Sequence, residues 1–196
     1  MKISVFGLGY VGCVSVGCLA NSGHQVVGVD LNEDKVSQIN SGAATIIEKD
    51  IDRIIKSQRE LKRIKATTNA IQAVENTNVS IICVGTPSSK NGHLDFSALY
   101  SVAKDIAQGL KNKNSFHTIA IRSTIMPGLC NEISNIISDE SGKKPEEDFY
   151  VLSNPEFLRE GSAVEDYNNP PFILIGSENE RASKIMADIY KDINAD

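Results

Sequence analysis

The sequence has no surplus of positive charge: 20 Lys and Arg against 25 Asp and Glu leave a net charge of −5. Neutralising a phosphate backbone needs a basic field, so nucleic acid is excluded as the main partner, although local basic residues can still hold a small phosphate ligand. Paired cysteines are missing too. Cys13, Cys18, Cys83 and Cys130 make no CxxC, and the three histidines are scattered without zinc spacing. Reduced, structural thiols in a cytoplasmic protein without a metal site are expected. No apolar run approaches the length of a bilayer span, so no membrane partner is expected. The first twenty residues, from Lys2 to Cys18-Leu19-Ala20, imitate a secretory signal, but Gly7, Gly9, Gly12 and Gly17 interrupt them in a register that an h-region has no use for. Repeats and low-complexity tracts are absent. What remains is an ordinary globular composition, 41% hydrophobic over 196 residues, enough to bury a core without staples.

Strand-like and helix-like stretches alternate. Strands are expected at Ile3–Phe6, Gln25–Val29, Lys65–Thr68, Val79–Val84, Thr118–Ile121, Tyr150–Leu152 and Phe172–Ile175. Helices are expected from the glycine turn to Ser22, at Asn32–Asn40, Asp50–Leu61, Ala70–Glu75 and Asp95–Leu110, from Pro127 to Ile137, and at Glu178–Ile193. Asp139–Asp148 reads as an exposed loop. The alternation predicts an α/β fold, a doubly wound, mostly parallel Rossmann-like sheet with helices on both faces.

Gly7-Leu8-Gly9-Tyr10-Val11-Gly12 is a GxGxxG turn that follows a strand and opens a helix. Asp30 ends the next strand, completing the context of a dinucleotide fingerprint. Gly7 permits the tight turn, Gly9 the approach of a pyrophosphate and Gly12 close helix–strand packing. Asp30 suits the adenosine ribose hydroxyls and repels a 2′-phosphate, which favours NAD over NADP; it also suits an N-cap. Lys35, one turn on, can reach the ribose or a phosphate, or simply be solvated.

Ligands of open α/β sheets lie beyond the carboxyl ends of the strands. Three unusual loops fall there: Val84-Gly85-Thr86-Pro87-Ser88, Arg122-Ser123-Thr124-Ile125-Met126-Pro127-Gly128 and Asn154-Pro155-Glu156-Phe157-Leu158-Arg159-Glu160-Gly161. In this order, the fingerprint and the three loops resemble the UDP-glucose/GDP-mannose dehydrogenase family along the whole chain. The segments Ser88-Ser89-Lys90-Asn91-Gly92-His93-Leu94-Asp95 and Asp166-Tyr167-Asn168-Asn169-Pro170-Pro171 are most similar to the GDP-mannose branch.

The resemblance implies a two-step, NAD-dependent oxidation of a nucleotide-sugar C6 alcohol to a carboxylate, GDP-mannose to GDP-mannuronate, using two NAD per turnover. UDP-glucose or UDP-N-acetylmannosamine stand as alternative substrates, and a non-catalytic NAD-binding module as an alternative function. A β-hydroxyacid or 6-phosphogluconate type dehydrogenase shares the glycine turn but not the third loop. By motif, the resemblance gives the cofactor to Gly7, Leu8, Gly9, Tyr10, Val11, Gly12, Asp30, Lys35, Val84, Thr86, Thr124 and Glu160. It gives the substrate to Glu156, Phe157, Leu158, Arg159 and Glu160. Thr124, positioning a water, and Glu156, as general base or water activator, are the implied catalytic residues, both of types able to exchange protons or hold a water. The family's nucleophilic cysteine belongs to a second domain with a GFGGxCxPKD-like motif absent from these 196 residues. Residues 1–196 are therefore expected to be the NAD domain, approaching the linker helix at Asp188–Asp196, able to bind NAD without turning over sugar. Its expected partners are the nucleotide sugar, the C-terminal domain of the same protein, and a second copy in a homodimer. Cys130 reads as a small core residue and not as a substitute nucleophile.

Overall fold

The computed structural model describes residues 1–88, 92–193 and 195. Its centre is one parallel sheet of six strands: β1 (Lys2–Phe6), β2 (Gln25–Val29), β3 (Ile64–Thr67), β4 (Val79–Ile82), β5 (His117–Ile121) and β6 (Phe149–Ser153). The order across the sheet is β3-β2-β1-β4-β5-β6. The chain thus winds outward from β1 in one direction, returns, and winds outward again from β4. The gap between β1 and β4 is where the winding reverses, and that is where such sheets open a crevice for ligands.

The strands are apolar on both faces because helices cover both. On one face, α1 (Tyr10–Asn21), α2 (Glu33–Ser41), α3 (Ile51–Glu60), α7 (Ala163–Asn168) and α8 (Glu180–Tyr190) bury Ile3, Val5, Val79 and Ile81. On the other, α4 (Ala70–Glu75), α5 (Ser97–Leu110) and α6 (Leu129–Ser141) bury Phe6, Ile82, Ile119 and Ile121. Helix α1 is buried almost all round and is built of small residues. A Cβ on Gly17 would stand 2.7 Å from Ile51 Cδ1, so the glycine admits the isoleucine face of α3. Each of Ile51, Ile54 and Ile55 contributes about 1.5–3 kcal/mol through burial. Asparagines open three helices: the side chains of Asn32, Asn69 and Asn179 accept from Asp34 N, Gln72 N and Ala182 N.

Several sequence expectations change in the structure. Phe172–Ile175 is not a strand. Pro170 and Pro171 offer no N–H, Phe172 and Leu174 face solvent, and the segment meets β6 only through an antiparallel Ser153–Gly176 pair. A side chain also ties it, Asn154 Nδ2 donating to Leu174 O at 2.9 Å, and Ile173 and Ile175 pack against the core. The expected loop at Asp139–Asp148 is helical through Ser141, where Gly142 takes φ 72° and stops α6. In addition, α7 was not expected at all, and α6 begins at Leu129 after a left-handed Gly128, leaving Pro127 in the preceding turn.

A polar chain crosses the core at β1, β4 and β5. Ser4 Oγ lies 2.8 Å from Ser80 Oγ, which lies 2.8 Å from His117 Nε2, and Thr77 Oγ1 joins at 3.1 Å. Lys113 Nζ donates to the carbonyls of Val74, Glu75 and Thr77 and so closes the carboxyl end of α4. Burial pushes the His117 imidazole down to about 3. An unfolded imidazole titrates near about 6.5. Between these values the unfolded chain holds the extra proton, so this histidine's contribution is full above about pH 6.5 and drains away as pH falls, by up to about 1.4 kcal/mol per unit. Urea denaturation of wild type and His117→Gln from about pH 6.5 down to about pH 5 should give a shallower loss in the variant. Equal slopes would contradict the assignment.

Candidate functional site

The backbone ladder runs one rung past each strand and delivers the loops in a row. Gly7 N donates to Val29 O at 2.8 Å, Cys83 N to Phe6 O at 2.8 Å, Arg122 N to Ile82 O at 2.9 Å and Asn154 N to Ile121 O at 2.9 Å. The glycine turn therefore sits at the point where the sheet reverses. Gly7 takes φ +91°, and a Cβ there would stand 3.0 Å from Cys83 O. On Gly12 it would lie 1.7 Å from Gly7 O, so no larger residue fits. Gly9 differs from both. A Cβ on it would meet nothing within 4 Å, and its φ of −76° is open to any residue. Nothing among the described residues requires a glycine there, whereas an outside group approaching the backbone would.

That backbone is the start of α1, which has no side-chain cap and no acidic residue in its first turn. Its first N–H groups are left for a ligand, and the helix dipole favours an anion. The Asp30 carboxylate borders this turn. Oδ2 accepts from Leu8 N at 2.7 Å and Oδ1 from Asn32 N at 2.9 Å, and Lys35 Nζ lies 3.6 Å away. The next helix is capped by Asn32 and not by Asp30. Leu8 is buried, packing its side chain against Gly28, and faces the site only through its backbone. Beside Asp30 opens a cavity of about 160 Å³ lined by Leu31, Thr68, Val84 and Asp105. Leu31 is 85% exposed at its rim, and burial raises the Asp105 carboxyl above its ordinary range.

A second cavity, about 280 Å³, brings together residues of the fingerprint and all three loops: Gly9, Tyr10, Val11, Val84, Thr86, Thr124 and Glu156. The loops are tied to one another. Thr86 Oγ1 donates to Thr124 O at 3.2 Å, and Ser123 Oγ to Val84 O at 2.6 Å. Glu156 Oε2 accepts from Leu158 N at 2.6 Å, which sets the direction of the carboxylate. Phe157 is turned outward onto Phe172, ring centroids 4.8 Å apart. Arg159 is held by Asp166, with Nη2 to Oδ1 at 2.6 Å, a pairing that keeps the Asp166 carboxyl well below the usual range. Glu160 is exposed.

The third loop hangs from a buried guanidinium that was legible only as a loop residue. Arg122 Nη1 donates to Asn154 Oδ1 at 3.0 Å and to Tyr190 Oη at 2.9 Å, and the group lies 5.5 Å from the Tyr167 ring centre. Glu48 escaped the sequence reading altogether; it accepts from Tyr10 Oη and from Gly161 N. A lone glutamate in an irregular stretch has no spacing to betray it. The cysteines are held in the thiol form, the less nucleophilic one. Burial pushes Cys83 up to about 11 and Cys18 to about 12, and raises Cys13 and Cys130 as well. Cys130 packs against the core of the α4–α6 face. Residues 89–91 of the Ser88–Asp95 segment lie outside the described residues. Among the described residues no helix is long and apolar enough to cross a membrane.

A glycine turn at the reversal point, an uncapped helix and an acidic residue at the end of β2 define a dinucleotide-binding α/β domain. The comparisons agree and are narrower. The model of the UDP-glucose/GDP-mannose dehydrogenase family, NAD binding domain, matches residues 1–194, and the chain belongs to this family. It is 42% identical over its full length to GDP-mannose 6-dehydrogenase of Pseudomonas aeruginosa, covering 45% of that protein. It is 39% identical to UDP-glucose 6-dehydrogenase of Rhizobium meliloti over 98% of the chain and 44% of that protein. A crystal structure of a ternary complex of GDP-mannose dehydrogenase from P. aeruginosa superposes with a TM-score of 0.97 over 100% of the chain and 45% of the other, at 42% identity. A UDP-glucose dehydrogenase from Pyrobaculum islandicum superposes at 0.94 over 98% of the chain and 44% of the other, with 36% identity. The chain thus spans a little under half the length of the relatives it matches.

Loss of the Arg122 guanidinium should unmoor the third loop and cost stability. Arg122→Met is expected to lower the unfolding free energy by about 2 kcal/mol and Tyr190→Phe by about 1 kcal/mol. Chemical denaturation of the three proteins checks this, and unchanged midpoints would refute the role given to the guanidinium.

Proposed function

We propose that this chain is the NAD domain of a cytoplasmic nucleotide-sugar 6-dehydrogenase acting on GDP-mannose. In this reading residues 1–196 form one domain that approaches a linker helix, and the reaction is completed with a C-terminal domain inside a homodimer. One observation carries the cofactor assignment: the open space beside Gly9, above the uncapped start of α1. The N–H groups of the turn would receive the pyrophosphate, with Gly7, Gly9, Tyr10, Val11 and Gly12 as its walls and Leu8 supplying backbone. Asp30 and Lys35 would hold the adenosine ribose. The Asp30 carboxylate, already beside the turn, would repel a 2′-phosphate. Leu31, over its apolar cavity, suits the adenine.

NAD, when bound, supplies the hydride acceptor for oxidation of an alcohol. The chain's own residues do the rest. Val84, Thr86 and Thr124, with Glu160, would border the nicotinamide side of the cofactor. Thr124 has a hydroxyl to orient a water, and Glu156 a carboxylate to take a proton from it. Phe157, Leu158, Arg159 and Glu160 would meet the sugar nucleotide, which requires Arg159 to leave or share Asp166. The greater similarity to the GDP-mannose enzymes than to the UDP-glucose enzymes supports GDP-mannose. The raised thiols of buried Cys13 and Cys18 and half-buried Cys83 and Cys130 support a nucleophile from outside this chain.

Two glycine variants separate cofactor binding from folding. Gly9→Ala should leave the unfolding free energy within about 1 kcal/mol of wild type, yet weaken NAD binding at least about tenfold in calorimetry. Gly12→Ala should fail to fold or lose several kcal/mol, because its Cβ overlaps the Gly7 carbonyl. Full NAD affinity in Gly9→Ala would sink the assignment. Asp30→Ala should likewise lose at least about tenfold in NAD affinity, and an unchanged affinity there would remove Asp30 from the site.

A further inference from the structure

The loop carrying Glu156 and Glu160 is anchored at its start by Arg122 and Tyr190 acting on Asn154. Its far end is anchored differently. Gly161, at φ +89°, turns the chain out of the loop, and its N–H donates to Glu48 Oε2 at 2.7 Å. The same oxygen receives the Tyr10 hydroxyl, and Tyr10 is the first residue of α1. Glu48 Oε1 accepts from Lys49 N at 2.8 Å, and the side chain is 9% exposed. One nearly buried carboxylate, contributed by the irregular stretch before α3, therefore joins the glycine turn to the end of the third loop. The tie spans 113 residues of sequence between Glu48 and Gly161.

We infer that Glu48 is a positioning residue: through Tyr10 and Gly161 it sets the register of the Glu156–Glu160 loop against the dinucleotide turn, so that cofactor binding and loop order are coupled. The coupling rests on the proposed NAD site; the anchoring of the loop does not. Its chemistry is specific to an acceptor. Gly161 sits where any other residue would be strained, so its turn is held by what its N–H donates to. The Tyr10 ring lines the cleft, and its direction follows from what its hydroxyl donates to. Without the carboxylate, Gly161 N keeps only the Tyr10 oxygen, at 3.1 Å. The N–H of buried Ala163 also faces this carboxylate, so Glu48→Ala costs some stability as well, and Glu48→Gln, which keeps an acceptor, separates the register of the loop from the fold.

The test compares wild type, Glu48→Ala, Glu48→Gln, Tyr10→Phe and the Glu48→Ala/Tyr10→Phe double variant by amide hydrogen exchange and NAD calorimetry. In Glu48→Ala, exchange at Glu160–Ser162 is expected to rise about tenfold while the β-strands stay protected, and the NAD dissociation constant to rise about three- to tenfold. Glu48→Gln keeps an acceptor for Gly161 and should recover most of the loop protection. The double variant should bind NAD little worse than the weaker single one, as expected for a shared pathway. Wild-type exchange at Glu160–Ser162 in Glu48→Ala, or an increase spread evenly over the domain, would overturn the inference. Additive losses of NAD affinity in the double variant would overturn the coupling. A wild type that binds no NAD would count against the proposed function and the coupling together, while loop exchange would still decide whether Glu48 anchors the loop.

Discussion

The site depends on one close approach, that of Gly12 to the carbonyl of Gly7. With a Cβ position 1.7 Å from that oxygen, α1 can lie against the turn only because Gly12 has no side chain. That packing brings the uncapped end of α1 to the gap between β1 and β4, where the two halves of the sheet wind apart. The placing of the orphan N–H groups follows from it, and the ladder that runs one rung past β1, β4, β5 and β6 brings the three loops to the same place. Gly17 does the same service further along the helix, letting α3 seat its isoleucines and supply much of the burial that fixes α1 in place.

Around this rigid centre, the third loop is held by a small number of polar contacts. Arg122, buried and bonded to Asn154 and Tyr190, fixes its start; Glu48, bonded to Tyr10 and Gly161, fixes its end. Between the anchors Phe157, Arg159 and Glu160 are exposed. Such a loop has defined ends and an adjustable middle, which suits the contacts with cofactor and substrate proposed for it. Each anchor is a charge nearly removed from water that makes directed hydrogen bonds to both sides of the cleft or loop, although Arg122 Nε has no partner among the described residues, an arrangement that stabilises one geometry more than it stabilises folding in general.

Most of the fold was legible in the sequence because its strands are short apolar runs punctuated by glycine, asparagine and proline. Gln25–Val29 and Ala70–Glu75 fall where expected to the residue. The misread segments are those in which tertiary contacts outweigh local pattern. Phe172–Ile175 has the composition of a strand, but two prolines precede it and Asn154 ties it by a side chain. Helix α7 is six residues long, and it is stabilised by burying Ala163, Val164 and Tyr167 and not by any periodicity. Of the candidate site, the residues that face the cleft were readable from motif, whereas those that hold it were not. Arg122 stood within a motif without a visible role, and Glu48 acquires one only when folding brings Gly161 to it. Leu8 and Arg159 came with their motifs, yet one turns into the core and the other toward Asp166.

Selection of NAD by this turn, with Asp30 beside it, is best measured by titrating the wild-type chain with NAD and with NADP side by side, because the two ligands differ only at the ribose hydroxyl that Asp30 would meet. NAD should bind at least about tenfold more tightly. Equal affinities, or a preference for NADP, would contradict it.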